Sequence, residues 1–509
     1  MKKIMSLVIT LIFIITPSCK KDKTMDIQII LENFMQLTKI PRCSKNEAAV
    51  SNWLQDWAKK NGFKYHLEKT NTLIIYVPAT QGLENVPAVV LQAHIDMVCQ
   101  KTDDSKINFE TDPIEAYIEG DYLRAKKTTL GADDGIGVAM AMTLALDKTI
   151  KRPALELLFT TDEEIDMTGA SQLSTDVLKG KYCINIDSEE EGVVTIGSAG
   201  GVQMWTELLL EKEKIPADSK VLTVKLEGLI GGHSGLEIIK GGANANVLLA
   251  ESLTKIFEKL AVEKKDIRLI SFNGGTASNA ITKSASAEII VSQNDISVVN
   301  DLFQANLKDL QKKYSSVEKS ISCNIIENKN PYAESFTVND SLKAVRFISG
   351  LPYGVIAMSE EMKGLVETSA NVGIVETKDN VIGIRTYHRS SINSKLDSIT
   401  NIIKNLVSDA GAKTKIMSSF PAWQPDPKSK LLEQSLKVYK ATFSRDLKVD
   451  VIHAGLECSM IANKYPDMQL ISVGPTLKDV HTPEEHLYLP TVGKVYILIA
   501  EILKSEELH

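Results

Sequence analysis

Leu91-Gln92-Ala93-His94-Ile95-Asp96-Met97-Val98 continues a short apolar run that begins at Val86. Three later runs follow the same plan. Leu155 to Phe159 leads into Thr161-Asp162-Glu163-Glu164. Tyr182 to Ile186 leads into Asp187-Ser188-Glu189-Glu190-Glu191-Gly192, and Leu470 to Val473 into Gly474-Pro475, with His481 a little beyond. Short apolar runs bounded by polar turns predict buried strands. Asp134 to Leu146 predicts an apolar helix. Asn46 to Lys60 predicts another, with Val50, Trp53, Leu54 and Trp57 at helical spacing and Gly62 as a cap. The two tryptophans read as core. Strands alternating with helices predict an α/β fold with a mixed, mostly parallel sheet. In such sheets the crevice outside the carboxyl ends of the strands is where sites form. That is where His94, Asp96, Glu163, Glu164, Asp187 and His481 fall.

The middle of the chain is patterned differently. From about Val202 to Lys413, alternating strands such as Val221 to Leu226 mix with amphipathic helices such as Asn246 to Leu260, and the polar stretch Glu327 to Ser335, with Pro331, predicts a loop. The last hundred residues return to α/β patterning. This order predicts an α+β domain inserted into a split one. The expected divisions are an N-terminal segment 1–19, a first part of the split domain 20–205, an insert 206–413 and the second part of the split domain 414–509.

The 509 residues carry 58 basic and 65 acidic side chains, a formal net charge of −7, with 43% hydrophobic and 24% charged residues. That composition excludes a disordered chain and a polytopic membrane protein. The acidic balance argues against nucleic acid as a partner, since phosphate binding favours a basic excess. At the N-terminus Lys2 and Lys3 precede an apolar run from Ile4 to Ile15, then Thr16-Pro17-Ser18-Cys19 and a Lys/Asp-rich stretch. This looks like a secretory signal with a bacterial lipoprotein box. The expectation is export, with Cys19 lipidated as the only membrane attachment and the protein held in the cell envelope. Five other cysteines, Cys43, Cys99, Cys183, Cys323 and Cys458, show no short spacing. They read as buried free thiols, although an envelope location would permit a disulfide.

Asp133 lies in Thr128-Thr129-Leu130-Gly131-Ala132-Asp133-Asp134-Gly135, a glycine-flanked turn at a helix start. So many carboxylates in one crevice repel unless cations neutralise them. Histidine with Asp/Glu and no Cys suits Zn²⁺, Mn²⁺ or Co²⁺. Bridging carboxylates favour two ions about 3.5–4 Å apart. Each residue alone is unremarkable: an isolated His94 reads as a satisfied buried histidine, and Glu163-Glu164 as a solvated helix start. Their joint placement at strand ends is what reverses that reading.

From about Met25 onward the chain resembles the M20 metallopeptidases, within them the aminoacyl-histidine dipeptidase branch. The resemblance is carried by Leu91 to Val98, Thr128 to Gly137, Asp187 to Gly192, Gly231-Gly232-His233-Ser234-Gly235, Phe272-Asn273-Gly274-Gly275-Thr276, His453-Ala454-Gly455-Leu456-Glu457-Cys458 and His481-Thr482-Pro483-Glu484-Glu485. It implies a split zinc-peptidase-type catalytic domain with an inserted lid. It implies two divalent ions, zinc first with cobalt or manganese as alternatives. His94, Asp133 and Asp187 would hold one ion. Asp133, Glu164 and His481 would hold the other. Asp96 would orient His94, Glu163 would be the general base, and His233 on the lid would bond the developing oxyanion. Arg389 would hold the carboxylate of a dipeptide substrate, with Asn279 and Glu457 as further pocket residues, Glu457 facing the free amine. A homodimer through the lid is one implied arrangement, although a lid this large can shield itself. Three positions depart from relatives: Thr282-Lys283 stands in place of Pro-Arg, Asp134 in place of Asn, and Cys99 in place of Pro. Two other readings stay open. One is an N-acyl amino acid amidase, which Glu457 disfavours because an acylated substrate has no amine. The other is a surface binding lipoprotein on an inactive peptidase fold, which the intact acidic and histidine set disfavours.

Overall fold

The computed structural model describes residues 27–329 and 332–508. Two sheets organise these residues. The first has eight strands in the order Lys64–Leu67, Leu73–Val77, Leu155–Thr160, Val89–His94, Tyr182–Asn185, Gln469–Ser472, Val193–Ser198 and Lys448–Ile452. The four strands in the middle run parallel, and antiparallel pairings flank them. The fold is therefore mixed α/β with a largely parallel centre.

Why the strands read as unbroken apolar runs is visible in their packing. Successive side chains of a strand point to opposite faces. Val89, Leu91 and Ala93 enter one core and Val90 another, and Leu155, Leu157 and Phe159 likewise oppose Leu158. With both faces covered, no position is left for a polar alternation. The helix Ala132–Leu146 is buried along nearly all its length, and Gln28–Leu37 packs across it. Helix Ala48–Lys60 turns its buried face, Val50, Leu54 and Ala58, into the same core, with Trp53 and Trp57 packed at its edge.

The second sheet is an antiparallel sheet of nine strands with its own core, covered by the helices Ala245–Val262, Ile296–Lys313, Val338–Gly350 and Asn393–Asp409. Its outer members on one side are Gly200–Leu209 and Lys413–Phe420. The chain thus crosses between sheets at Ser198–Gly200 and again at 420–423. The crossings are tied together by Ser198 N–H to Trp423 O (2.9 Å) and Trp423 N–H to Ser198 O (3.1 Å). Boundaries at 205/206 and 413/414 would cut these two strands. Ser198-Ala199-Gly200-Gly201 and Pro421 mark the two crossings in the sequence, but both lie within or beside strands rather than in a long linker.

Two expectations are corrected. Cys43 and Cys99 are not free thiols but form a disulfide, with their Cα atoms 5.7 Å apart. Fifty-six positions separate them in sequence. A bridge between Cys43 and Met97 aligns the two stretches, which spacing does not encode. Cys183 and Cys458 are buried free thiols, and Cys323 is half-buried. The stretch expected as a loop from Glu327 begins as the end of strand Ser322–Asn328, an edge strand on which Asn324, Ile326 and Glu327 are exposed.

Candidate active site

The parallel strands deliver their ends to one crevice. His94 is the last residue of its strand, Asp187 follows the strand ending at Asn185, and Glu163 and Glu164 follow the one ending at Thr160. Asp133 stands at the start of the buried helix Ala132–Leu146, and the Asp133–Asp134 peptide is cis. His481 arrives from the chain beyond Ser472. Three groups of potential ligand atoms result: His94 with Asp133 and Asp187, His94 with Glu163 and Glu164, and Asp133 with Glu164 and His481. Within each group the atoms lie within 4.8 Å of one another.

Asp133 is shared. Its Oδ1 lies 3.1 Å from His94 Nε2 and its Oδ2 3.1 Å from His481 Nε2. His94 Nε2 is 3.5 Å from Asp187 Oδ1, and His481 Nε2 is 2.9 Å from Glu164 Oε2. Asp96 has no exposed surface. It accepts Ser44 Oγ–H (2.8 Å) and the backbone N–H of Glu163 (3.1 Å) and Glu164 (3.3 Å). Its Oδ1 stands 3.4 Å from His94 Nδ1. One carboxylate therefore braces both the imidazole and the turn that carries the two glutamates.

The electrostatics favour bound cations. Burial pushes the Glu163 carboxyl well above its usual range, and Asp187 and Glu164 add to the push against the pull of His94. Burial lifts Asp187 to about 7. Burial also acts on Asp133, but hydrogen bonds from His481 and His94 overcome it and hold that carboxyl far down. Bonds to Asp133 and Glu164 raise His481 to about 11. The crevice thus gathers positive charge wherever it can, which is the condition a cation relieves. Glu164 Oε1 is buried with no hydrogen-bond partner among the described residues. An orphaned carboxylate oxygen beside histidine and aspartate side chains is a setting that could take a borderline divalent ion.

The lid-side residues assemble separately. Gly232-His233 pairs antiparallel with Ala280-Ile281, and Ser234 N–H donates to Asn279 O at 2.7 Å, so the His233 and Asn279 segments are neighbours. The Asn279 side chain is exposed. His233 Nδ1 accepts from Gly235 N–H (3.3 Å) and Leu236 N–H (3.1 Å). That fixes the neutral tautomer with the proton on Nε2, free to donate. Burial and the charge of Arg389 lower its pKa. Arg389 is not a solvated surface residue. It is 4% exposed, with its guanidinium 4.0 Å from the Tyr387 ring centroid and Nε without a hydrogen-bond partner among the described residues. His453 lies buried nearby, bonded through Nε2 to Ser369 Oγ at 2.7 Å. Glu457 lies under the sheet ends with no exposed surface. Its Oε2 accepts from Thr160 Oγ1 (2.5 Å) and Gln92 Nε2 (2.7 Å), its Oε1 has no partner among the described residues, and burial pushes its carboxyl up to about 8.

Arg42, Ser44 and Glu485 escaped the sequence reading, although all three touch the site's framework. Arg42 and Ser44 belong to no marked pattern. Glu485 closes a stretch already singled out for His481, and only its bonds to the Asp133 turn reveal its position. Cys19 lies outside the described residues.

Comparison with known proteins adds kinship to this geometry. The chain is 38% identical over 478 residues to the cytosol non-specific dipeptidase of Escherichia coli, covering 94% of this chain and 97% of that one. It superposes on the crystal structure of aminoacylhistidine dipeptidase from Vibrio alginolyticus with a TM-score of 0.88 at 35% identity, covering 93% of this chain and 96% of that one. A tripeptidase from Staphylococcus aureus, at 14% identity and TM-score 0.56 over 95% of this chain and 99% of that one, shares the fold. These findings overturn the expected export as a lipid-anchored envelope protein, because the Escherichia coli relative that matches nearly the whole chain is a cytosol enzyme by name. A charged start, a short apolar run and a cysteine form a pattern too generic to assign a compartment. Among the described residues no helix is long and apolar enough to cross a membrane. Neither a lipid anchor nor a lid-mediated homodimer draws support from the relatives. The model of peptidase family M20/M25/M40 matches residues 90–505. With the split sheet and the crevice of shared carboxylates it covers, the chain belongs to that peptidase family.

Proposed function

We propose that this protein is a metal-dependent dipeptidase acting on unblocked dipeptides, Xaa-His among them. The observation that carries the reading is Asp133, set between the His94–Asp187 pair and the Glu164–His481 pair with Glu163 alongside. The name of the Escherichia coli relative and that of the Vibrio alginolyticus structure point the same way. His94, Asp133 and Asp187 would hold one divalent ion, and Asp133, Glu164 and His481 a second, zinc being the first candidate. Bound there, the ions would supply Lewis acidity, polarising the scissile carbonyl and acidifying the attacking water.

The chain's own residues do the rest. Glu163 takes the proton of the attacking water as the C–O bond forms. It returns that proton to the leaving nitrogen as the C–N bond breaks. Its burial raises the carboxyl's affinity for the proton it takes in the first transfer. Asp96 holds the Glu163 turn and the His94 ring in register. His233 donates Nε2–H to the carbonyl oxygen as charge develops there. Arg389, stacked on Tyr387 with a free Nε, binds the substrate carboxylate. Asn279 lines the same lid segment. The unpartnered Oε1 of Glu457 accepts the free amine, which separates dipeptides from N-acyl substrates. Hydrolysis of a dipeptide panel containing Xaa-His members, alongside N-acetyl amino acids, tests this. Cleavage of the acetylated compounds with none of the dipeptides would refute it.

A further inference from the structure

Gly131 lies between two buried side chains of opposite charge that the ligand set does not use. Glu485, 2% exposed, accepts four successive backbone N–H groups. Oε2 takes those of Leu130 (2.7 Å) and Gly131 (3.0 Å), and Oε1 those of Ala132 (2.8 Å) and Asp133 (3.3 Å). From the other side Arg42, also 2% exposed, donates through Nη2 to Gly131 O. Arg42 Nη1 reaches Ile95 O (3.1 Å) and Asp96 O (2.9 Å). Gly131 itself has φ +69°, and a Cβ there would come within 2.6 Å of Arg42 Nη2 and 2.7 Å of Met97 Sδ. The peptide is thus gripped at N–H and C=O, with no room for a larger residue.

From this geometry we propose that Glu485 and Arg42 are positioning residues, a two-sided clamp that holds the Asp133 carboxylate where it serves both halves of the centre. The inference rests on the reading of Asp133 as the shared ligand. The clamp joins four segments distant in sequence: the stretch that carries Arg42, the turn after His94, the turn before Asp133, and the loop that brings His481. Glu485 N–H donates to Thr482 O, which ties the clamp to the His481 loop. A carboxylate facing four N–H donors is the strong, charge-assisted arrangement. A shift near 1 Å in a ligand is enough to cost two orders of magnitude in rate.

Glu485→Gln tests the clamp, because its amide nitrogen would face two N–H donors. Co²⁺ titration of the metal-stripped full-length protein, read by visible absorption, should show affinity for both ions reduced about 10- to 100-fold, because Asp133 serves both. At saturating metal, kcat on a dipeptide should fall about 100-fold while KM stays within about threefold. Arg42→Lys, which keeps the charge but not the planar fork, should fall between wild type and Glu485→Gln on both readouts. Glu485→Asp, which reaches fewer of the donors, gives the same readouts should the glutamine variant not fold. Wild-type metal affinity and kcat in a folded Glu485 variant would overturn the proposal, as would a loss confined to thermal stability. Failure of the wild-type protein to bind two ions or cleave dipeptides would instead refute the functional reading beneath it.

Discussion

Replacing Asp96 by Asn removes one charge and turns one acceptor oxygen into a donor. Oδ1 takes the Glu163 N–H and faces His94 Nδ1, while Oδ2 takes the Glu164 N–H and the Ser44 hydroxyl. The Ser44 hydroxyl can rotate, but a backbone N–H cannot turn away. Whichever way the amide settles, one N–H of the Glu163–Glu164 turn is left buried without an acceptor. That costs about 1–3 kcal/mol. The lost charge also lowers the basicity of His94, and losses of this kind weaken metal binding about 10- to 100-fold. Asp96→Asn should therefore bind Zn²⁺ at least about tenfold more weakly in chelator competition. Its kcat should stay low even at saturating metal, because the Glu163 turn is displaced. Unfolding by denaturant should register the same 1–3 kcal/mol, about. Wild-type zinc affinity with wild-type kcat would refute the idea that Asp96 braces the two elements together.

Other perturbations have equally definite outcomes. His388 is fully buried on Thr400, and burial lowers it to about 4 against the ordinary 6.5. Between those values the unfolded chain binds the extra proton, so stability should fall by about 3 kcal/mol as pH drops from 6.5 to 4. His388→Gln should flatten that limb in pH-dependent denaturant melts, and an unchanged limb would contradict the assignment. Arg389→Met should raise KM for dipeptides and cut kcat/KM about 10- to 100-fold, read from steady-state kinetics. Equal activity on dipeptides and their C-terminal amides in wild type would argue against a carboxylate contact. His233→Ala should lower kcat by about 10²–10³ with little change in KM, if its Nε2–H meets the oxyanion. Reducing Cys43–Cys99, which closes a loop of about 56 residues, should lower stability by about 4 kcal/mol, seen as a shifted urea midpoint under reductant.

Much of the catalytic half was legible because its strands are covered on both faces. Val89–His94 and Leu155–Thr160 have to be apolar throughout, and the polar residue that ends each run is where the buried strand meets the crevice. His94, Asp187 and the Glu163–Glu164 pair stand out for that reason. The framework around them does not, because it is built from backbone geometry. Arg42 acts on carbonyls and Glu485 on amides, so neither needs a patterned partner in the sequence. The Cys43–Cys99 pairing depends on a chain bridge at Met97, which exists only once the fold does. Arg389 in His388-Arg389-Ser390 gave no hint that its strand turns it inward onto Tyr387. The N-terminal apolar run carried a pattern without the context needed to assign a compartment.

The central claim is that Glu163 works as a proton carrier beside two bound ions rather than as one of their ligands. Metal content and dipeptide turnover, measured together on purified wild type and Glu163→Gln, test it most directly. The account predicts two divalent ions per chain in both proteins, dipeptide hydrolysis by the wild type, and kcat lower by about 10²–10⁴ in the variant. Loss of an ion from Glu163→Gln, or turnover equal to wild type with both ions in place, would contradict it.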